Sequence, residues 1–272
     1  MKELKGKVAA VTGAGSGLGR AMALAFAREG MRLALADVYE AGLRETASQV
    51  EGFWMKVDVS KEDEMQAFCD RIENPFLVCN NAGVSPLGAV WESTPADWQW
   101  ILGVNLWGVI HGVRAFAPRL IGRNAGHIVN TASVAGLISP PGSGAYNVTK
   151  HAVVALSETL HHDLRERGSA VGVSVLCPAY VPTGIIDSER NRPSEFKNET
   201  DGKSKETLAK EAMMRKAVTS GRLSADDVAR AVVAAVKEER FYILTHARIK
   251  GAIQARMEDI LQEREPRNPL AL

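Results

Sequence analysis

KVAAVTGAGSGLGRAMALAFAREG, residues 7–30, is the stretch whose reading decides the fold. Residues 7–12 form a compact run rich in valine and alanine, the signature of a short buried strand. TGAGSGLG at 12–19 follows at once and spaces Gly13, Gly17 and Gly19 through a turn that also holds Ser16 and Leu18. Residues 18–29 then repeat apolar side chains at 18, 22, 25 and 26, one face of a helix, and Gly30 is a stop signal. Strand, glycine turn and helix in that order form a cradle for phosphate. Glycine lets the backbone come close to a ligand, and the first turn of the helix offers free N–H groups and a positive dipole end.

Working outward, short apolar runs alternate with amphipathic segments. Strands are expected at 31–37, 53–59, 75–80, 127–133, 171–178 and 241–245. Helices are expected over 41–49, over 225–238 behind Ser224 as cap, and over about 247–263. Ser60, with Asp63 three residues on, is expected to cap another helix. Thr94-Pro95 should open a helix running through Asn105 toward 121, and 144–167 is a long helix. Continuous apolar strands separated by helices predict an α/β chain: one domain over 1–272, a Rossmann-like, doubly wound parallel sheet of about seven strands with helices on both faces. The polar, charged stretch at about 184–222 is too long for a plain connection and is expected to be a flap over a site; a helical tail begins at about 247.

Composition narrows the function. A net charge of +1 without a long basic stripe gives no footprint for nucleic acid. No apolar run approaches the roughly 20 residues of a membrane span, and the N-terminus lacks the long apolar region of a signal peptide, so a cytoplasmic, non-membrane protein is expected. Cys69, Cys79 and Cys177 form no C-x-x-C pair and the six histidines show no metal spacing, so no metal site is expected.

The strand ends supply the polar groups. Asp37 closes the second strand 18 residues after Gly19. A carboxylate there can accept from the two ribose hydroxyls of adenosine and repels a 2′-phosphate. With serine at 16 instead of a basic residue, this favours NAD over NADP. Asp58 and Val59 end the third strand, and Asn80, Asn81, Ala82 and Gly83 end the fourth, so that one edge collects small and polar groups. The fifth strand runs into Ser133. Tyr146 follows 13 residues later and Lys150 four after that, one helical turn apart on the same face. An ammonium beside a phenol stabilises phenolate, which is expected to lower the tyrosine pKa from about 10 toward working pH.

Taken together, T-G-x-x-x-G-x-G at 12–19, Asp58-Val59, N-N-A-G at 80–83, Asn105, Ser133, Y-x-x-x-K at 146–150 and PAYVPT at 178–183 resemble the short-chain dehydrogenase/reductase family across residues 7–183. The resemblance implies an NAD-dependent oxidoreductase with a catalytic set of Asn105, Ser133, Tyr146 and Lys150. In it Tyr146 exchanges the proton, Ser133 holds the substrate oxygen, Lys150 tunes Tyr146 and bonds the nicotinamide ribose, and Asn105 extends a proton path. It places Asn80 and Ala82 along the adenosine ribose, Val181 at the carboxamide, and Thr183 at the carboxamide or a phosphate. The family's usual glycine at 179 is Ala179 here, which bears on the loop path.

Candidate wall residues are Ser133, Ala135, Leu137, Tyr146 and Tyr180, with Pro86, Leu87, Val134, Gly136, Ile185 and Ile186. Most are apolar, so the expected substrate is a hydrophobic secondary alcohol or ketone, with an aromatic or polycyclic compound fitting. The family also implies a homo-oligomer, tetramer or dimer. Two other readings stay open: a non-catalytic NAD sensor, and a lyase or epimerase on the same fold.

Overall fold

The protein, seen in a computed structural model, is described over residues 3–198 and 204–271. Seven parallel strands form one sheet: β1 (Val8–Thr12), β2 (Arg32–Asp37), β3 (Gly52–Lys56), β4 (Pro75–Asn80), β5 (His127–Thr131), β6 (Gly172–Cys177) and β7 (Tyr242–Leu244). Their order is β3-β2-β1-β4-β5-β6-β7, so the chain reverses its direction of growth between β1 and β4. Ligands of doubly wound sheets lie at that switch point, outside the carboxyl ends of the strands.

Strand alternation separates the two faces. Ala9, Val11, Leu33, Leu35, Leu77 and Cys79 point into one core, where α1 (Gly17–Arg28) packs on α8 (Ala225–Glu238). Ala10, Ala34, Ala36, Val78 and Ile128 point into the other, against α3 (Glu62–Asp70) and α5 (Gly108–Gly122). Phe26 and Met22 on one side, and Phe68 and Phe116 on the other, are fully buried; each such side chain contributes about 1.5–3 kcal/mol. α2 (Glu40–Ala47) lies between β2 and β3 in the chain. α6 (Gly144–Glu166) adds Val153 and Val154 to a third cluster, and α9 (Ile249–Leu261) follows β7.

Most helix starts follow their expected chemistry. Thr94 Oγ1 accepts from Asp97 N at 3.1 Å, and Asp97 Oδ2 accepts from Thr94 N at 2.9 Å, a reciprocal capping box with Pro95 opening α4 (Pro95–Leu102). Ser224 and Asp227 repeat the device at α8. Ser60 does not cap: Lys61 is the N-cap of α3, because Asp58 Oδ1 takes both the Ser60 N–H and the Ser60 hydroxyl. The helix expected through Asn105 is continuous from α4 to α5 but carries a π-turn, Gly103–Trp107. Gly184–Asn191 and Ser194–Phe196 are 3-10 turns, and α7 (Lys205–Thr219) follows; the 199–203 part of the expected flap lies outside the described residues.

Candidate active site

The carboxyl ends of β1, β2, β4, β5 and β6 open into a cleft of about 380 Å³. Its floor is the glycine turn. Gly17 has φ +51°, a left-handed conformation that suits glycine, and a methyl there would stand 3.2 Å from Thr183 Cβ. At Gly19 a Cβ would come within 2.0 Å of the Gly13 carbonyl oxygen, so only glycine lets α1 start this close to β1. The ends of β1 and β4 are stitched together: Thr12 Oγ1 accepts from the N–H groups of Asn81 (2.9 Å) and Ala82 (3.1 Å), and Asn81 Nδ2 donates to the Thr12 carbonyl at 3.0 Å.

Asp37 sits at the rim with one oxygen on the Gly15 N–H and the other on the Tyr39 N–H, both at 2.8 Å. Each carboxylate oxygen keeps a further lone pair for a ribose hydroxyl. Burial pushes its carboxyl up, and the two backbone N–H groups pull it back. The cradle that a Cβ would fill, the free N–H groups at the start of α1 and the carboxylate at the end of β2 fit the pyrophosphate and adenosine ribose of a dinucleotide. Gly13, Ser16, Gly17, Leu18, Asp37, Asp58, Val59, Ala82, Gly83, Val181 and Thr183 all line the cleft.

Two expected cofactor residues stand elsewhere. Gly19 lies behind the turn and acts through the close approach just given. Asn80 is buried and faces away from the cleft: its amide donates to Asn130 Oδ1 at 2.9 Å, and Asn130 donates to Ser157 Oγ at 3.0 Å. The pleat turns residue 80 toward α5, where a Cβ on Gly112 would meet Asn80 Oδ1 at 2.0 Å. Position 80 therefore braces the sheet instead of lying along a ribose.

At the opposite end of the cleft Ser133, Tyr146 and Lys150 come together. The Ser133 hydroxyl is hydrogen-bonded to the Tyr146 phenol. Ser133 also donates to the Pro178 carbonyl at 3.3 Å and accepts from the Ala135 N–H at 3.2 Å, which fixes its orientation. Lys150 Nζ donates to the Thr131 carbonyl at 2.9 Å and lies 5.6 Å from the centre of the Tyr146 ring. Asn105, fully buried, does not line the cleft: it accepts from Val84 N at 2.8 Å, donates to Val84 O at 2.9 Å and reaches Thr149 Oγ1 at 3.3 Å. The π-turn turns its side chain toward the loop after β4, and a Cβ on Gly83 would touch both Asn105 Oδ1 (3.4 Å) and Lys150 Nζ (3.7 Å).

The charges at this end differ from the expectation. Desolvation pushes the half-buried Tyr146 phenol up, and the Ser133 hydrogen bond opposes that. Burial pulls the Lys150 amine down to about 8. The ammonium thus does not lower the phenol's pKa in the protein alone: desolvation leads for both groups, and Lys150 is aimed at Thr131 O.

The wall also needs correction. Ala135, Leu137 and Tyr180 do not line the cleft, and neither do Pro86, Leu87, Val134, Gly136 or Ile186; Ile185 does. Residues 134–136 form a 3-10 turn pressed onto α6, where a Cβ on Gly136 would meet the Lys150 carbonyl at 2.5 Å, and Leu137 packs into the third cluster. The apolar lining comes instead from Val84, Trp100, Val104, Pro193, Phe196 and Val218. Trp100 carries the Arg192 guanidinium at 4.2 Å, and Arg192 pairs with Asp97 at 2.8 Å, both side chains nearly buried. Asn198 adds a bond to Thr94 Oγ1 at 2.7 Å, and Ser188 Oγ accepts from Ser85 N at 2.9 Å. Nothing in the local sequence signals these long-range partners; only the buried arginine's stacking on a tryptophan reveals them.

A family profile described as short chain dehydrogenase matches residues 7–194. The chain belongs to the short-chain dehydrogenases. Over 278 residues it is 31% identical to the CLA biosynthesis dehydrogenase/reductase of Lactiplantibacillus plantarum, covering 98% of this chain and 97% of that protein. It is 31% identical to the 1-deoxy-11-beta-hydroxypentalenate dehydrogenase of Streptomyces arenae, over 93% and 87% of the two chains. A short-chain dehydrogenase/reductase from Burkholderia phymatum, solved in complex with NAD, is 51% identical over the full length of both chains and superposes with a TM-score of 0.96. The glycine turn, Ser133, Tyr146 and Lys150 all contribute to the cleft of this family member.

Proposed function

We propose that this short-chain dehydrogenase transfers a hydride between NAD and a hydrophobic secondary alcohol or ketone, with Tyr146 moving the proton. The observation that carries the reading is Tyr146 hydrogen-bonded to Ser133 at one end of a cleft whose other end is the glycine turn with Asp37. NAD is supported by that carboxylate and by the bound cofactor of the Burkholderia phymatum relative. The apolar lining from Trp100, Val104, Phe196 and Val218 supports an apolar substrate, aromatic and polycyclic compounds included.

When bound, the nicotinamide supplies the hydride acceptor or donor. The chain's own residues do the rest. Ser133, anchored by the Ala135 N–H, turns its single O–H from Pro178 O to the substrate oxygen, where negative charge grows. Tyr146 Oη gives that oxygen a proton in reduction and takes one in oxidation. A raised pKa keeps the phenol protonated and ready to donate, while the Lys150 amine, held at about 8, changes charge close to working pH. Lys150 also has two further N–H donors for a ribose, and Asn105 locks the loop at Val84 and Gly83 against it.

Residues 184–222 act as a flap within a single domain that includes the C-terminal helix. The half-exposed Trp107 and Val148, on the helices around α5 and α6, support assembly into a dimer or tetramer. Free, buried Cys69, Cys79 and Cys177 fit a reducing cytoplasm, and among the described residues no helix is long and apolar enough to cross a membrane.

The deciding experiment mixes the protein with NAD and a panel of secondary alcohols while following NADH absorbance. Wild type should turn over an apolar alcohol, and Tyr146→Phe should lose at least about 100-fold in kcat while still binding NADH. A Tyr146→Phe variant with the wild-type rate overturns the proton assignment. NADH binding without turnover of any alcohol would make the chain a sensor, and product formed without net NADH would make it a lyase or epimerase.

A further inference from the structure

Among the residues lining the cleft, four carry charge: Asp37, Asp58, Lys150 and Arg190. Asp58 is engaged with Ser60, and Lys150 is committed to Thr131 O at the chemical end. A dinucleotide brings two phosphate charges to the glycine turn, between two aspartates. The half charge of the α1 dipole offsets only part of them. Arg190 is the remaining cation, and it comes from the 3-10 turn Gly184–Asn191, not from the glycine-turn side of the cleft.

Its position is fixed. Arg190 Nη1 donates to Gly184 O at 2.7 Å and to Asp187 O at 2.8 Å. A Cβ on Gly184 would lie 3.1 Å from Arg190 Nη2, and the adjacent Thr183 stands over Gly17 at the start of α1. The same guanidinium is close enough to Asp37 to favour its ionised form. Arg190 therefore lines the same cleft as Asp37 and the glycine turn, on the segment whose Thr183 meets Gly17. Among the described residues no carboxylate forms an ion pair with it, and two carbonyl contacts leave three of its five N–H donors uncommitted. An arginine braced by neutral carbonyls, with donors to spare and no carboxylate in direct contact among the described residues, suits a phosphate.

We infer that Arg190 is a cofactor-holding residue carried by the flap: it donates to a phosphate oxygen of the ADP half of the dinucleotide, so that cofactor and flap hold one another. This rests on the reading of the cleft as an NAD site. It assigns to the roof a binding residue that no strand-end or glycine-turn motif supplies.

The test measures equilibrium binding of NADH and of ADP-ribose, without substrate, to wild type, Arg190→Ala and Arg190→Lys at 50 mM and 500 mM salt. Arg190 is exposed, and the Ser188 and Arg192 anchors of its segment remain, so both variants should unfold at the wild-type temperature. Arg190→Ala should bind ADP-ribose about 10–100-fold more weakly at low salt and lose most of the salt dependence. Arg190→Lys should restore part of both. Affinity of Arg190→Ala within twofold of wild type overturns the inference, as does a loss that is equal at both salt concentrations and unrelieved by lysine, since that marks a purely structural contact. Failure of wild type itself to bind NADH or ADP-ribose would sink the NAD reading and this inference with it; wild-type binding that is indifferent to residue 190 sinks the inference alone.

Discussion

The floor and the roof of the cleft are built by different means. The floor is the glycine turn and α1, where six of the twelve helical residues are buried and the turn is pinned by Thr12, Asn81 and Asp37. The roof is made of the turns Gly184–Asn191 and Ser194–Phe196 and of α7, which buries two of its fifteen residues, Thr207 and Val218. It is held by a few polar anchors: Arg192 on Asp97 and Trp100, Ser188 on Ser85, and Thr207 on Glu92. Packing makes a floor that moves only if the core moves. Polar anchors make a roof whose opening is a local event, drawn from the low end of the stability range.

The sharpest break of this contrast is at the floor. Gly19→Ala sets a methyl against the Gly13 carbonyl and should cost about 3 kcal/mol, read by denaturant unfolding, and abolish NADH binding at concentrations that saturate wild type. A stable, cofactor-binding Gly19→Ala protein would show that the floor yields as the roof does.

The second prediction concerns buried charge between floor and roof. The folded pKa of Lys150 is about 8, below its ordinary 10.5, so over that window the unfolded chain binds more protons and stability rises with pH. Below pH 8 both states carry the charge, and the full penalty of burying it is felt. Wild type should therefore gain about 2 kcal/mol relative to Lys150→Met between pH 8 and 10, measured by unfolding at each pH. Parallel curves for the two proteins would mean that Lys150 is solvated in the fold.

The smallest effect on global stability is expected at the roof. Arg192→Met keeps much of the packing on Trp100 and removes the pair with Asp97, which still has Thr94 and Asn198 as partners. Global Tm should move by no more than about 3 °C, while proteolytic cleavage near residues 190–198 accelerates several-fold and KM for an apolar alcohol rises more than kcat falls. A cooperative loss of the whole fold would place the roof in the same unit as the floor and erase the distinction.

Residues 7–30 announced their strand, turn and helix because every cue there is local: the compact apolar run of β1, the period of α1 and glycines within seven positions of one another. The caps at Thr94 and Ser224, and the one-turn spacing of Tyr146 and Lys150, were legible for the same reason, whereas the capping boxes they form with Asp97 and Asp227 appeared only in the structure. Asp37 and Ser133 could be found because a strand end in a parallel sheet has one place to go. The outward-inward sense of Asn80 was missed because the pleat, not the sequence, sets which side residue 80 faces.

By itself, then, the chain determined the seven strands and the identity of the groups at the chemical end, which follow from patterns within short stretches; the strand order and its switch point between β1 and β4 came from long-range pairing. Tertiary structure alone decided that Trp100, Phe196 and Arg190 share a cleft with Tyr146, that Asn105 turns through a π-turn onto Val84, and that burial sets the charges of Tyr146 and Lys150. Those outcomes depend on which surfaces meet across a hundred residues, as from Asp97 to Arg192, and on the solvent excluded between them. No periodicity or spacing in the sequence carries either quantity.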